Sequence, residues 1–264
     1  MKNLLKEILS NKKKEVEALK SRTPITHFVD SKQLLGGVRP FKEAISGGNN
    51  VNLIAEIKKR SPSNKKDFLK HYDYEGVAQV YEDVGAKAIS ALTDKRYFGG
   101  DISHINNIKK KANLPVLRKD FIVDEYQVYE SRYFGADCIL LIARILTKEE
   151  MGSFMHLAER VGMDVLVEVH DEWDLEKALL NEAKIIGINN RDLDTLNIDL
   201  DTTFRLISKI PKGIVKVSES GIKTNNDIKA LKKAGINAVL IGGSLLSAED
   251  IGGKAIEIMG ENGI

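Results

Sequence analysis

The sequence predicts an α/β protein made of one (β/α)8 barrel, and three observations support this fold. After about residue 50 of the 264, eight short apolar segments of strand length alternate with stretches of helical periodicity. Several helical stretches end on a glycine, which is followed within two residues by the next strand. No Gly-rich dinucleotide-binding motif follows the first strand, which disfavours the alternative, an open doubly wound sheet.

The predicted strands and helices alternate in order along the chain. The strands span residues 51–57, 87–92, 115–118, 137–142, 164–169, 184–188, 214–217 and 238–241. Helices are predicted at residues 75–84, 125–134, 148–161, 171–181 and 225–234, and all but the fourth are followed by a glycine: Gly85, Gly135, Gly162 and Gly235. The strands are apolar on both faces, as is typical of a parallel sheet with helices on one side and a packed core on the other.

The chain is predicted to be a single domain, residues 1–264, in which residues 1–48 form a helical extension before the barrel. Leu4, Leu5, Ile8 and Leu9 fall on one helical stripe, so we expect a helix here to pack on the barrel. This segment lacks the apolar length of a signal peptide or membrane span and the acid-poor composition of a transit peptide. We therefore expect a cytoplasmic protein with no membrane contact.

Composition and charge disfavour several other classes of protein. The net charge is only +2 and the basic residues are spread along the chain, which argues against nucleic acid as the partner. The single cysteine, Cys138, lies in an apolar run, so we interpret it as a buried hydrophobic residue and not as a catalytic thiol. One cysteine cannot form an intrachain disulfide, which fits a reducing compartment, and no Cys/His cluster has zinc-site spacing.

Polar side chains interrupt the ends of five predicted strands, where a barrel places its active site. Glu56 with Lys58 on strand 1, and Lys119 with Phe121 on strand 3, are two residues apart and share a face. The other strand-end candidates are Glu168 on strand 5, Asn189 and Arg191 on strand 6, and Glu219 and Ser220 on strand 7. Any one of them fits an ordinary ion pair or helix cap. The whole ring favours a charged substrate pocket, because burying even a neutral polar group unpaired costs about 2–7 kcal/mol.

Two glycine-containing loops predict a phosphate site. Gly221 follows Ser220 after strand 7, and Gly242 and Gly243 follow strand 8. In barrels these loops, with the start of a short helix, commonly bind phosphate through backbone N–H groups, and glycine lets the backbone approach the anion closely. Each loop alone fits a tight turn, but both loops at these two strands favour a phosphorylated small-molecule substrate.

The same residues lie in motifs that resemble the indole-3-glycerol phosphate synthase family of tryptophan biosynthesis. The motifs are Ile54-Ala55-Glu56-Ile57-Lys58 with Arg60-Ser61-Pro62-Ser63, Pro115-Val116-Leu117-Arg118-Lys119-Asp120-Phe121, Leu140-Leu141-Ile142, Gly187-Ile188-Asn189-Asn190-Arg191-Asp192-Leu193 and Ser218-Glu219-Ser220-Gly221-Ile222. The resemblance implies an N-terminal extension that caps the barrel mouth, and a carboxy-lyase that uses neither cofactor nor metal. The implied reaction closes the ring of a carboxyphenylamino-deoxyribulose phosphate and then removes carbon dioxide and water. Association with other tryptophan-pathway enzymes is a further expectation.

The resemblance also implies a role for each matching residue. Lys119 matches the family's general acid, since a lysine with a reference pKa of about 10.4 is protonated at neutral pH. Glu168 matches the carboxylate that assists proton removal during dehydration, and Glu56 and Glu219 would orient groups or relay protons. Lys58 would pair with the phosphate end and share in proton transfer. The expected catalytic set also includes Asn189 and Ser220, and Asn189 and Arg191 suit the substrate's hydroxyls and carboxylate. The other expected substrate contacts are Phe98 and Phe121 to the aromatic ring, and Ser61, Gly221, Gly242 and Gly243.

Three features depart from the family pattern. Residues 64–67 read Asn-Lys-Lys-Asp where the family often carries glycine, so we expect the first loop to move or close differently. Arg144 follows strand 4, where small residues or lysine are usual, and two positions are open to it, the mouth or the solvent. The single tryptophan, Trp173, lies in a helical pattern, so Phe28, Phe41 or the stripe at residues 4–9 would have to cover the substrate's aromatic ring.

Two other functions fit parts of the sequence. A phosphoribosylanthranilate isomerase would use a cysteine and an aspartate, but Cys138 lies early in its strand, and such barrels lack the long N-terminal extension. A non-catalytic binding protein would explain the lysine run at residues 12–14, but it leaves the ring of strand-end carboxylates without a purpose.

Overall fold

The computed structural model describes residues 4–31, 37–62, 67–68 and 73–260. Eight parallel strands form a closed barrel, in which each strand pairs with its neighbours in sequence and the last pairs with the first. The strands are β1 Asn52–Ile57, β2 Ala88–Leu92, β3 Val116–Lys119, β4 Cys138–Ile142, β5 Asp164–Val169, β6 Ile185–Asn189, β7 Val215–Glu219 and β8 Ala238–Ile241. The predicted barrel and its eight strands are confirmed, with strand ends that differ from the predicted ones by at most two residues.

Helices surround the barrel and close its ends. In chain order they are α1 Leu4–Arg22, α2 Thr26–Val29, α3 Phe41–Ser46, α4 Tyr74–Asp83, α5 Lys95–Phe98, α6 Ser103–Lys111, α7 Glu125–Tyr133, α8 Lys148–Arg160, α9 Glu172–Leu180, α10 Asp201–Ile207, α11 Asn225–Ala234, α12 Gly243–Leu246 and α13 Ile251–Met259. Gly85, Gly135, Gly162 and Gly235 follow helices with φ between 82° and 93°, the left-handed conformation that their positions predict. Within the described part of the chain, no helix is both long and apolar enough to cross a membrane.

Strand alternation decides which side chains enter the barrel. In β1, Leu53, Ala55 and Ile57 pack outward with the helices, whereas Ile54 packs in the apolar cluster inside the barrel. Glu56 is two residues from Ile54 and therefore faces inward. The same alternation in the other strands gives inward positions to Lys119, Glu168, Asn189 and Glu219. The polar residues at these strand ends thus stand on top of a packed interior.

The N-terminal extension contacts both ends of the barrel. Phe41 and Ile45 of α3 are fully buried in the interior cluster. Asn52, at the start of β1, donates a side-chain N–H to the carbonyl of Ile45 at 2.9 Å, which places α3 at the amino ends of the strands. At the opposite end, Leu5 and Ile8 of α1 line the cavity in the barrel mouth. The extension therefore caps the mouth with α1, as expected, and also closes the bottom with α3.

Cys138 is the first residue of β4 and is fully buried inside the barrel. Burial is the main cause that raises the pKa of its thiol well above the ordinary value, and the nearby carboxylate of Asp164 adds to the effect. The interpretation as a small buried hydrophobic residue is confirmed, because a thiol in this setting stays protonated and out of reach of a substrate.

Candidate active site

A cavity of about 590 Å³ opens at the carboxyl ends of the strands. Thirteen of the fourteen predicted site residues line it: Glu56, Lys58, Ser61, Phe98, Lys119, Phe121, Glu168, Asn189, Arg191, Ser220, Gly221, Gly242 and Gly243. Glu219, the fourteenth, lies at its floor through its contact with Lys119. The structure therefore brings together residues that the sequence selected separately, at the ends of five strands and in the segments that follow β1, β2, β7 and β8.

Lys119 is the centre of a buried ionic cluster. Its Nζ lies 2.5 Å from Oε2 of Glu219, 3.7 Å from Oε2 of Glu168 and 3.9 Å from Oε2 of Glu56. Lys58 pairs with the other oxygen of Glu56. Two cations thus face three carboxylates that come from β1, β5 and β7.

Burial and neighbouring charge set the protonation of this cluster. Burial is the largest influence on Lys119 and lowers its pKa, but the charges of Glu219, Glu168 and Glu56 together outweigh it, so the pKa is raised. The pKa of Glu219 is raised to about 7, and burial is the largest cause. Lys119 acts to lower this pKa, but repulsion from Glu168 and Glu56 raises it and opposes the effect of the lysine. The pKa of Glu56 is lowered, since Lys58 and Lys119 outweigh the effect of its burial. The site therefore holds a protonated lysine beside a carboxylate that titrates near neutral pH.

Two glycines that sequence reasoning missed or assigned otherwise make room for these carboxylates. A Cβ atom on Gly187 of β6 would lie 2.2 Å from Oε1 of Glu219. A Cβ atom on Gly242 would lie 2.3 Å from Oε1 of Glu56, so this glycine serves the carboxylate as well as the predicted phosphate loop. The available signal for Gly187 was a glycine in the middle of a strand, which often marks the close approach of another group.

The loop after β6 orients Arg191. Its backbone N–H donates to Oδ1 of Asn189 at 2.9 Å, and its guanidinium donates to the carbonyl of Leu196 at 3.1 Å. Leu196 has a φ of 63°, a left-handed conformation that is strained for a residue with a branched side chain. The carboxylate of Asp192 accepts the N–H groups of the next turn, including that of Thr195 at 2.7 Å. Arg191 is thus held at the cavity wall by a tight, internally bonded loop.

Arg144 occupies neither of the two positions expected for it. It lies half-buried on the rim, with Nη2 at 3.0 Å from Oδ2 of Asp171 and Nη1 at 3.4 Å from Oδ2 of Asp192. Burial lowers its pKa, but Asp174 and Asp171 outweigh this effect and raise it. Arg144 therefore joins the loops that follow β5 and β6 and is outside the set of side chains that line the cavity.

Apolar side chains form one end of the cavity. The rings of Phe98 and Phe121 have centroids 6.3 Å apart, and Leu4, Leu5 and Ile8 of α1 face the same space. The other candidates for a ring cover are placed elsewhere. Phe28 packs on Tyr126 of α7, with ring centroids 5.1 Å apart, and Phe41 closes the barrel bottom. Trp173, which was not expected to cover the ring, is 80% exposed on α9. The stripe of α1 is therefore the part of the extension that covers the mouth.

Backbone geometry dominates the end of the cavity between β7 and β8. Ser220 and Gly221 have φ values of 68° and 83°, and α12 begins at Gly243 directly after Gly242. The first N–H groups of a helix have no acceptor within it, so they are available to an anion. Lys58, whose ammonium lies 5.5 Å from the centroid of the Phe68 ring, lines the same cavity. The segment at residues 64–67 was expected to differ from the family pattern. Residues 64–66 lie outside the described residues, and Oδ2 of Asp67 lies 3.8 Å from Nζ of Lys59.

Among the residues that the structure describes, no group of three or more His, Cys, Asp or Glu side chains has a geometry that could hold a metal ion.

The fold is shared with solved structures of low sequence identity. An N-acetylmannosamine-6-phosphate 2-epimerase from Clostridium perfringens matches with a TM-score of 0.58 and 15% identity, over 79% of this chain and 92% of that one. A thiamine phosphate pyrophosphorylase from Pyrococcus furiosus matches with a TM-score of 0.56 and 16% identity, over 80% and 94% of the two chains. At this level of identity the likeness shows the barrel fold alone.

Sequence comparison is more specific. The family model described as indole-3-glycerol phosphate synthase matches residues 5–258. The indole-3-glycerol phosphate synthase of Alkaliphilus metalliredigens is 45% identical over 258 residues, which cover 97% of each chain. That of Thermoanaerobacter pseudethanolicus is 46% identical over 94% of each chain. The chain therefore belongs to the indole-3-glycerol phosphate synthase family.

Proposed function

We propose that the described cavity is where this chain, as an indole-3-glycerol phosphate synthase, turns 1-(2-carboxyphenylamino)-1-deoxyribulose 5-phosphate into indole-3-glycerol phosphate, carbon dioxide and water. One observation carries the proposal. A buried Lys119 with a raised pKa lies within 4 Å of three carboxylates, in a cavity that is also lined by the rings of Phe98 and Phe121 and by the glycine loops after β7 and β8. This arrangement matches a substrate that has an aromatic ring at one end, a phosphate at the other and the reacting carbons between them.

The two ends of the cavity orient the substrate. Phe98 and Phe121, with the α1 stripe, contact the aromatic ring, and the loops at Gly221 and Gly242 bind the phosphate with the charge of Lys58. Arg191 lines the cavity and has the planar guanidinium suited to a carboxylate. A ligand held at both ends places its ketone beside Lys119, so binding supplies the proximity that ring closure needs.

The proton steps use the central cluster. When the aromatic carbon attacks the ketone, negative charge develops on the ketone oxygen, and Lys119 donates a proton to it. Carbon dioxide then leaves, and its bonding electrons restore the aromatic ring. Glu168 then removes a proton from the carbon next to the new bond, and the ammonium of Lys58, which lines the same cavity, donates the proton with which the hydroxyl leaves as water. Since Oε2 of Glu168 and Oε2 of Glu219 both lie within 4 Å of Nζ of Lys119, a proton taken up by either carboxylate has a short path back.

The two alternative functions lose their support. Cys138 lies buried below the cavity with a raised pKa, so the thiol expected of a phosphoribosylanthranilate isomerase is absent from the lining. In the lysine run at residues 12–14, Lys12 is buried in ion pairs, so the run does not present a uniform basic face to a polyanion.

Several expectations stay proposals. We propose that residues 1–264 act as one domain with 1–48 as its extension, that no cofactor takes part, and that the chain works in the cytoplasm. The packing of α1 and α3 on the two ends of the barrel supports the first of these. We also propose association with other tryptophan-pathway enzymes, for which the exposed indole of Trp173 is the kind of side chain that protein interfaces cover.

The test is an activity assay with site variants. The purified chain is incubated with the carboxyphenylamino-deoxyribulose phosphate, and the indole product is followed by its fluorescence. We expect Lys119→Met to lower kcat by about 10²- to 10⁴-fold, the usual contribution of a general acid, and Glu168→Gln to slow dehydration most. Absence of product from the unmodified chain would reject the function, whereas full activity of Lys119→Met would reject only the role of that lysine.

A further inference from the structure

Lys12 differs from its neighbours in the lysine run because it is buried. Its side chain is 6% exposed, whereas Lys13 and Lys14 are exposed. The Nζ of Lys12 lies 2.9 Å from Oδ2 of Asp94 and 3.0 Å from Oδ1 of Asp120. Both carboxylates are almost completely buried and belong to loops at the mouth of the barrel. Lys12 therefore joins α1 to the loops that follow β2 and β3.

Asp120 transmits this contact to the strand end that carries the central lysine. It lies between Lys119 and Phe121, and its Oδ1 also accepts the N–H of Phe121 at 2.8 Å. Its other oxygen accepts the hydroxyl of Thr93 at 2.6 Å and faces the guanidinium of Arg118 at 3.2 Å. With both oxygens engaged, Asp120 has one orientation, and the backbone on either side of it is fixed as well.

Asp94 transmits the same contact to the apolar end of the cavity. It precedes α5, and its Oδ1 accepts the N–H of Tyr97 at 2.7 Å, which caps that short helix. α5 ends at Phe98, one of the two rings in the apolar wall. The position of Phe98 therefore depends on a carboxylate whose other oxygen is held by Lys12.

The ion pairs also fix the face of α1 that covers the mouth. Ile8 and Lys12 are four residues apart, so they lie one above the other on the same side of the helix. Ile8 lines the cavity and is 4% exposed. A cation anchored one turn further along holds this face against the barrel and prevents α1 from rotating or lifting.

We propose that Lys12 is a positioning residue for the proposed reaction. By pairing with Asp94 and Asp120, it holds α1 over the cavity and fixes the loops that present the aromatic wall and the central lysine before substrate binds. The inference rests on the proposed function, because its readout is the binding of that substrate. Loss of the cation removes the ionic partner of the buried Asp94 and leaves Arg118 as the cation paired with Asp120, which strains the loops that should be rigid.

The test compares Lys12→Met with Lys12→Arg and with Lys13→Met, a matched change at the adjacent exposed lysine. We expect Lys12→Met to raise KM at least tenfold, with a smaller change in kcat, and to speed amide hydrogen exchange in α1. Lys12→Arg should restore KM to within about threefold of the parent, a difference of roughly 0.65 kcal/mol. Lys13→Met should leave both constants unchanged. A merely stabilising role would lower the folded fraction without changing KM.

A second variant guards against failure of Lys12→Met to fold. Asp94→Asn keeps the helix cap, since asparagine is also a good cap, and leaves Lys12 paired with Asp120. We expect it to melt close to the parent, raise KM several-fold and speed exchange in α1. Unchanged KM and exchange in a folded Asp94→Asn or Lys12→Met overturn the inference while the parent remains active. An inactive parent overturns the proposed function instead.

Discussion

The two ends of the barrel hold buried charge in opposite ways. At the amino end, fully buried Asp137 accepts the N–H of Arg39 at 2.8 Å, the N–H of Val116 at 2.9 Å and the ammonium of Lys109 at 2.6 Å. At the carboxyl end, Oε1 of Glu219 is buried and has no hydrogen-bond partner in the described structure. A carboxylate whose two oxygens both accept hydrogen bonds stabilises one arrangement of its neighbours. A carboxylate with one oxygen that accepts no hydrogen bond is available to exchange a proton. The difference separates the end that maintains the fold from the end that performs the chemistry.

Replacing Asp137 breaks this comparison most strongly. Asp137→Ala leaves a half-buried ammonium and two N–H groups without their acceptor, so we expect the free energy of unfolding to fall by about 3–5 kcal/mol. Denaturant titration gives this value, and kcat and KM per folded molecule should stay the same because the amino end takes no part in the reaction.

Asp164 offers a matched control, because it also begins a strand at the amino end. It accepts the backbone N–H of Lys42 at 2.9 Å, and burial raises the pKa of its carboxyl. Asp164→Ala should cost about 1 kcal/mol, the value of one ordinary hydrogen bond. Equal losses in the two variants, or a large fall in kcat for Asp137→Ala, would contradict the division of labour between the ends.

The substitution Gly187→Ala adds one methyl group to β6 and tests whether the charged cluster at the carboxyl end tolerates displacement. The new Cβ of Gly187→Ala would lie 2.2 Å from Oε1 of Glu219 and 3.2 Å from Cδ1 of Leu166, so the carboxylate has to move. Its shift displaces Lys119, and a displacement of about 1 Å costs about 10²-fold in rate. We expect kcat to fall by that factor. Gly37→Ala, whose Cβ would meet no heavy atom within 4 Å, should have full activity. Near-parent kcat in Gly187→Ala would show that the cluster tolerates displacement.

Local sequence patterns were sufficient to predict the barrel. The strands and the glycines that follow the helices depend on neighbouring residues, so periodicity and backbone conformation reveal them. The positions of Glu56 and Lys119 could also be predicted from the sequence, because alternation within a strand fixes the face on which each side chain lies. Gly187 was missed as a site residue because its importance depends on Glu219 of the adjacent strand, a contact that no local pattern encodes.

The surroundings of Lys12 and Phe41 were equally hidden. Lys12 reads as one of three solvated lysines, and only its meeting with Asp94 and Asp120, more than eighty residues away in sequence, explains its burial. Phe41 was a candidate cover for the mouth, but it closes the opposite end of the barrel. Periodicity shows that a helix packs on the barrel, but the end that it covers is decided by long-range packing.

The pH dependence of stability tests the titration of Glu219. Its pKa is raised to about 7, above its ordinary value near 4.5, so the folded state binds an extra proton between these pH values. This contribution is fully present below about pH 4.5 and is lost as pH rises through 7. Relative to Glu219→Gln, which cannot titrate, the parent should lose about 1–3 kcal/mol of unfolding free energy between pH 5 and pH 8. Parallel stability curves for the two proteins would reject the raised pKa.

Replacement of Arg144 at the rim of the cavity is expected to have the smallest effect on KM and stability, because its ion pairs are exposed to solvent. Asp171 and Asp194, two partners of Arg144, have side chains 44% and 54% exposed, so solvent and salt screen their attraction. The N–H of Thr195 already holds Asp192, which leaves the loop that orients Arg191 in place without Arg144. Arg144→Ala should therefore change KM less than about threefold and stability by about 1 kcal/mol or less, and the difference should shrink at high salt. A tenfold rise in KM that persists at high salt would instead make Arg144 part of the machinery that orients the substrate, and would move the boundary of the reactive end outward to the rim.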